Sequence, residues 1–269
     1  MEYTLNCNGR LLSLDKPLVM GILNATPDSF YGHSCCQSET EIVCRALHIV
    51  GEGGAIIDVG ACSTRPDSTP ATEVEEMERL HQALTVVKRE VPDAIVSVDT
   101  FRPDVARMVV EEYGVDIIND VGAPSDATAT HQPSSMFRMV SRLRVPYIYM
   151  SRKATMHDIL LDCAEAVATL RSMGQKDIVL DPGFGFGKTV EQNYEVMRQL
   201  EHLQMTGLPY LVGISRKSMI YRFLGNTQEE ALNGTTVLNT IALAKGASIL
   251  RVHDVREAVE TIKIASYVF

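Results

Sequence analysis

Positive charge is scarce in this chain. Its 25 lysines and arginines face 34 aspartates and glutamates, for a net charge of -9 and a pI near 5.3. Bulk nucleic-acid binding is excluded on that ground, because it draws on basic surface that displaces counterions. An anionic small molecule would need cations gathered locally. Long apolar runs are lacking too: no stretch reaches the ~20 residues that span a bilayer, so no membrane association is expected. The six cysteines, Cys7, Cys35, Cys36, Cys44, Cys62 and Cys163, include no CxxC pair. Nothing at the N-terminus resembles the apolar core of a secretory signal, and reduced thiols in a cytoplasm are expected. Nucleotide loops are missing as well. Gly187-Lys188-Thr189 would complete a Walker motif only with glycine where Pro182 stands, and glycines 183, 185 and 187 lack the dinucleotide spacing.

Against these absences stands a recurrence. Eight short, β-branched apolar runs end at Asn24, Asp58, Asp99, Asn119, Met150, Asp181, Ser215 and Arg251. Such runs suit strands buried on both faces of a parallel sheet. Helical spacing fills the intervals: residues 73–91 put Met77, Leu80, Leu84 and Val87 on one stripe, and residues 156–173 do so with Ile159, Ala166 and Leu170. Gly53-Gly54, Gly114, Gly174, Gly207 and Gly246 fall between a helix and the next strand, where positive φ is often required. The unit of about 33 residues matches the βα repeat of an eight-fold barrel. The spacing therefore predicts an α/β fold, a single (β/α)8 TIM barrel domain over residues 1–269, with its active site at the C-terminal ends of the strands. An open doubly wound sheet is the alternative, but it would place its site at one switch point. Here polar groups follow nearly every run. Residues 122–135, rich in Ser, Thr and Pro, read as a long surface loop.

The strand ends carry the chemistry. Asp99, Asn119 and Asp181 each follow buried apolar residues, where a desolvated polar head must be paired. Two carboxylates and an amide can read the donor edge of a flat heterocycle, and a 2-amino-4-oxopyrimidine offers adjacent N–H donors much as a guanidinium does. Taken singly, each could equally cap a helix; together they favour a pocket. Basic groups cluster at the last two runs, Ser215-Arg216-Lys217 and Arg251-Val252-His253-Asp254. Alternation puts Arg251 and His253 on one face, at the favoured phosphate site of this fold. Lys217 would join them or reach a ring carbonyl. Arg216, adjacent to Lys217, points elsewhere and is expected to be structural. Phe186 could stack on the ring, and the neighbouring glycines would let backbone approach a flat ligand. Lys188 reads as a solvated residue at a helix start.

The loops after the first two runs contain Asn24, Thr26-Pro27-Asp28-Ser29-Phe30 and Cys62-Ser63-Thr64-Arg65-Pro66. Most of these residues fit turns. Asn24, at a strand end beside phosphate oxygens, is the one metal candidate and suits a Mg²⁺ that keeps several waters. Cys62 has no neighbouring His to activate it and reads as a bystander. His81 and His157 fall on predicted helices, as surface or packing residues.

Met20-Gly21-Ile22-Leu23-Asn24, Ser63-Thr64-Arg65-Pro66, Ser97-Val98-Asp99-Thr100, Ile118-Asn119-Asp120, Leu180-Asp181-Pro182-Gly183-Phe184-Gly185-Phe186, Ser215-Arg216-Lys217-Ser218 and Arg251-Val252-His253-Asp254 occur in order. Together they resemble the dihydropteroate synthase family. That resemblance implies a barrel, usually a homodimer, joining 6-hydroxymethyl-7,8-dihydropterin diphosphate to 4-aminobenzoate in folate synthesis, with Mg²⁺. It implies that Asp99, Asn119, Asp181 and Lys217 hold the pterin, and Asn24, Thr64, Arg251 and His253 the diphosphate. Phe30, Arg65, Pro66 and Ser215 would shape the aminobenzoate pocket, where sulfonamides compete, and the first two loops would close over bound pterin substrate. Asp99, Asp181, Lys217, Arg251 and His253 become the expected catalytic set. Departures are visible: Gly60-Ala61-Cys62 stands for Gly-Gly-Glu, Asp67 for Gly, Met150-Ser151 for Met-His, and Tyr31-Gly32-His33 alters the first loop. Met150-Ser151 is the one run ending with no evident role. A pterin-dependent corrinoid methyltransferase and a silent pterin-binding homologue are the rival readings.

Overall fold

Two residues, Asn8 and Gly9, both at positive φ, turn the chain between β1 (Thr4–Cys7) and β2 (Arg10–Ser13), an antiparallel hairpin. The sequence reading passed over this hairpin, although Asn-Gly is its strongest short-range signal. The computed structural model describes residues 3–26, 36, 38–62, 71–122 and 134–269.

After the hairpin come β3 (Leu18–Asn24), β4 (Ile56–Gly60), β5 (Ile95–Asp99), β6 (Ile117–Asp120), β7 (Tyr147–Met150), β8 (Ile178–Asp181), β9 (Leu211–Val212) and β10 (Ile249–Val252). They form one eight-stranded parallel sheet in the order β8-β7-β6-β5-β4-β3-β10-β9. Its outer strands meet where Leu180 bridges Tyr210 and Leu180 N–H donates to Pro209 O at 3.0 Å. That closure makes the sheet a barrel rather than the open alternative. The crossovers carry α1 (Glu39–Gly51), α2 (Glu73–Glu90), α3 (Pro103–Tyr113), α4 (Ser135–Leu143), α5 (Met156–Ser172), α6 (Val190–Arg198), α7 (Ser218–Leu224) and α8 (Leu232–Ala244), with α9 (Val255–Val268) last. The fold is the expected (β/α)8 TIM barrel. The five helix-to-strand positions expected at positive φ, from Gly53 to Gly246, all adopt it.

The helices start where the chain supplies caps. Ser38 with Glu41, Thr72 with Glu75 and Thr189 with Gln192 form capping boxes, each satisfying two orphan N–H groups. The expected apolar stripes are buried: Leu80, Leu84 and Val87 on α2, and Ile159, Ala166 and Leu170 on α5. No helix of the described residues is long and apolar enough to cross a membrane.

One strand is shorter than expected. The run through Ile214 pairs with β10 only at Leu211 and Val212. Beyond them Ser215 Oγ accepts the His253 N–H at 3.2 Å, and Arg216 N–H donates to Thr235 Oγ1 at 3.0 Å. Side-chain acceptors take the donors that a ladder would use, so β9 peels away.

The barrel interior is built in steps of two residues. Met20, Ile56, Ile117, Ile148, Val179, Leu211 and Ile249 form an apolar floor, which Leu5 and Cys7 of the hairpin and Leu14 cover from below. Arg10 locks that cover through both oxygens of Asp116, at 2.9 and 3.0 Å. Two residues further along, five strands turn polar or charged, with Asp58 on β4, Ser97 on β5, Asn119 on β6, Asp181 on β8 and Arg251 on β10, while β3 and β7 carry Ile22 and Met150 and Gly213 follows β9. An ionic cluster thus lies one step above the apolar floor, toward the C-terminal mouth.

Candidate active site

Asp58 sits at the centre of that ionic layer and is fully buried. Its Oδ2 accepts from Arg251 Nε at 2.6 Å and from Asn119 Nδ2 at 3.1 Å. Arg251 Nη2 also donates to Asp99 Oδ2 at 2.8 Å. Arg251, expected among the phosphate groups, therefore bridges two carboxylates on the ring side. Two of its five N–H donors are used. Burial pushes Asp99 up to about 7; Arg251 opposes that, and the neighbouring Asp58, Glu76 and Asp120 reinforce it.

A second cluster lies at the end of β8. Asp181 Oδ1 accepts from Gly183 N–H at 2.7 Å, and burial raises its carboxyl against the pull of Lys217. Lys217 Nζ donates to Phe184 O at 2.5 Å and lies 4.6 Å from the centroid of Phe186, a cation–π arrangement. Phe186 is thus in place to face a ligand while covering the ammonium. Burial brings Lys217 down to about 8, with Asp181 working against it.

The loop's glycines answer to the protein itself. A Cβ on Gly183, at φ +69, would lie 2.2 Å from Ser151 O, and one on Gly185 would lie 3.0 Å from Lys217 Cδ. At Gly183 the backbone of Ser151 alone already requires glycine, whatever ligand the loop also approaches. This gives Met150-Ser151 a role that its sequence did not suggest: Ser151 is the fully buried wall against which the Asp181 loop folds. Lys188 is corrected too. It turns inward, with Nζ donating to Gly183 O at 2.9 Å, and burial lowers it to about 8. Asn193, missed in the sequence, holds the same loop through Gly185 N–H at 2.8 Å and Thr189 O at 2.7 Å. An amide one turn into a helix carries no sequence signal of that task.

His253 is buried, and its ring lies well below the usual imidazole range, first by burial and then by Arg251, Arg45, Arg216 and Lys217. It enters the site as a neutral hydrogen-bonding ring. Arg45, unforeseen, ties two strand ends together, donating to Ile22 O at 2.9 Å and His253 O at 2.7 Å. Arg216 is structural as expected: its fork grips Asp254 at 2.9 Å twice. Ser215 lies beside His253 through the bond already described. Asn24 ends β3 next to Gly60, where a Cβ would come within 3.2 Å of Asn24 Oδ1. The missing side chain leaves a cradle over a hard oxygen donor, which suits a Mg²⁺ held by one protein ligand, substrate phosphate and water.

Phe30, Thr64, Arg65 and Pro66 lie outside the described residues. The chain flanking the last three is anchored: Arg79 donates to Ala61 O at 3.1 Å, and Arg102 to Ala71 O at 2.5 Å while pairing with the buried Glu76. Burial raises the Cys62 thiol, which suits the bystander expected of it.

A polar layer of this kind has relatives. The model of the pterin binding enzyme family matches residues 20–253. The dihydropteroate synthase of Escherichia coli K12 is 35% identical over 268 residues, covering 95% of this chain and 93% of its own. The chain belongs to the dihydropteroate synthases. Two solved members superpose along its length. The Xanthomonas albilineans dihydropteroate synthase, solved with 4-aminobenzoic acid, gives a TM-score of 0.88 at 32% identity, covering 100% of this chain and 98% of that one. The Coxiella burnetii dihydropteroate synthase, solved with pteroic acid, gives 0.87 at 31%, covering 99% and 98%.

For a dihydropteroate synthase with this site, the opposed shifts define a pH window. The Asp99 carboxylate is ionised only above about 7, and a carboxylate that reads ring N–H donors must be ionised. The Lys217 ammonium is lost as pH rises through about 8. We expect kcat/KM for the ring substrate to follow a narrow bell between those limbs. A profile flat from roughly pH 6 to 9 would contradict the roles of both groups.

Proposed function

We infer that this chain, a transferase, condenses 6-hydroxymethyl-7,8-dihydropterin diphosphate with 4-aminobenzoate, giving 7,8-dihydropteroate and diphosphate in folate biosynthesis. The observation that carries the reading is the ionic layer in which Asp99, Asn119 and Asp181 flank Arg251 at one barrel mouth. Carboxylates and an amide suit the donor edge of the pterin, and Lys217 suits its carbonyl edge. Arg251, His253 and Asn24 are the groups for the diphosphate. Phe186 suits stacking on the flat ring, and Ser215 borders the place for aminobenzoate; by resemblance alone Phe30, Arg65 and Pro66 belong to that pocket and Thr64 to the diphosphate.

The chemistry follows from charge. The leaving diphosphate sits on a methylene attached to an electron-rich dihydropterin, so the C–O bond can break to a resonance-stabilised cation. The aminobenzoate nitrogen then attacks the methylene carbon and releases a proton. Asp99 and Asp181 stabilise the positive charge, and the free N–H groups of Arg251 and the His253 ring the departing anion. Mg²⁺, when bound at Asn24, would supply further charge to the diphosphate oxygens. No covalent nucleophile is required.

The test is direct incubation with both substrates, scored for equal amounts of diphosphate and dihydropteroate. Methyl transfer, or binding without turnover, would instead support one of the rival readings. Omitting the amine probes the order of steps: slow diphosphate release is expected, and its complete absence would argue against early C–O cleavage.

The same reading takes residues 1–269 as one domain and the active form as a homodimer. Phe223 and Leu224 on α7, Val237 and Ile241 on α8, and Ile264 and Tyr267 on α9 expose apolar side chains on adjoining helices, a surface that a partner would cover. Sedimentation should give a dimer that Ile241→Arg shifts to monomer; a monomeric parent protein would refute it. The buried Cys7 and Cys163 thiols, each pushed up to about 12 by burial, behave as small apolar groups and suit a reducing cytoplasm.

A further inference from the structure

Asp58 is the most buried carboxylate of the ionic layer, yet neither the sequence reading nor the expected catalytic set uses it. One of its oxygens, Oδ2, receives Arg251 Nε at 2.6 Å and Asn119 Nδ2 at 3.1 Å. Its other oxygen, Oδ1, and Asn119 Oδ1 are both buried without a hydrogen-bond partner among the described residues. Because Oδ2 accepts from Arg251, Asn119 must turn its amide nitrogen toward Asp58. The amide oxygen is thereby left as an orphan acceptor, a costly arrangement unless a ligand donates to it.

We propose that Asp58 is a positioning residue that acts through Asn119 and Arg251: it fixes the amide so that Asn119 presents an acceptor to the ring, and it tethers the guanidinium that serves the diphosphate. This deepens the functional reading above and rests on it. Arg251 is shared between Asp58 and Asp99. Ring N–H donors arriving at Asp99 compete for the oxygen that Arg251 Nη2 now holds. Asp58 keeps hold of Nε, so Arg251 stays at the site and turns its remaining donors to the anion. The two ends of the substrate are coupled through one carboxylate.

Two variants separate this role from a structural one. Asp58→Ala removes the shared acceptor, so the Asn119 amide can rotate and Arg251 loses its tether. Calorimetry with the pterin diphosphate should show about 100-fold weaker binding, and turnover should fall, with the KM for 4-aminobenzoate at saturating pterin unchanged. Asp58→Asn keeps an oxygen that can receive both donors and should recover binding to within about 10-fold of the parent. Adding Asn119→Ala to Asp58→Ala should cost little more, because the pair acts as a unit. Parent-like ring affinity in a folded Asp58→Ala protein would overturn the proposal, as would equal losses in the Ala and Asn variants or fully additive losses with Asn119→Ala. Failure of the parent protein to bind the pterin diphosphate would instead overturn the functional reading, and this inference with it.

Discussion

Replacing Asp99 with alanine should abolish measurable binding of the pterin diphosphate. The carboxylate ends β5 inside the ionic layer, where its Oδ2 already accepts from Arg251 at 2.8 Å, an arrangement that adjacent ring donors can reproduce. Its removal leaves those donors unpaired in a site that excludes much of the water. A charge-assisted pair lost under such conditions costs about 3 to 5 kcal/mol, or roughly 150- to 4,000-fold in affinity. The fold should survive, because Asp58 still holds Arg251 at 2.6 Å. Calorimetry against the intact protein, with a thermal melt as control, is the measurement. Near-parental affinity would mean that the ring lies elsewhere.

The Arg251→Ala variant is expected to fail more broadly. The resemblance places Arg251 with the diphosphate, where its loss would mainly lower turnover. The structure adds that Asp58 and Asp99 both depend on this guanidinium, so its removal leaves two buried carboxylates uncompensated. Breaking such a pair costs about 3 kcal/mol or more, which for a chain of this size lowers Tm on the order of 10 °C. Turnover should fall by about 10² to 10³ from the lost stabilisation of the leaving group. Arg251→Lys would return the charge without the fork and should recover stability more than rate. A variant with unchanged Tm but reduced kcat would show that the two carboxylates do not need the arginine.

Those two expectations show where sequence was enough and where it was not. The barrel was legible because β-branched runs and helical stripes alternate with one period, and because glycines such as Gly114 and Gly246 mark five of the returns to the sheet. Asp99, Asn119, Asp181 and Arg251 stood out because each closes an apolar run, Lys217 and His253 because each lies two residues beyond such an ending, and the structure brings all six to one mouth. Pairing was not legible. Arg251 and Asp58 are 193 residues apart, and nothing local tells that their side chains meet. Burial was not legible either: Lys188 looked like a solvated lysine, and only the folded loop shows its ammonium capped by Gly183 O. Met150-Ser151 seemed idle because its work is steric, and a close approach to Gly183 leaves no chemical mark in the sequence.

The hairpin beneath the barrel has a consequence for how this chain can change. With Leu5, Cys7 and Leu14 seated on the apolar floor and Arg10 fastened to Asp116, the N-terminal mouth is sealed by residues that take no part in the chemistry. The departures from the family pattern that fall among the described residues, Gly60-Ala61-Cys62 and Met150-Ser151, follow strands at the opposite mouth. Stability and catalysis thus occupy two ends of one molecule, and the upper loops are free to drift toward new ligand preferences while the sealed floor keeps the barrel folded.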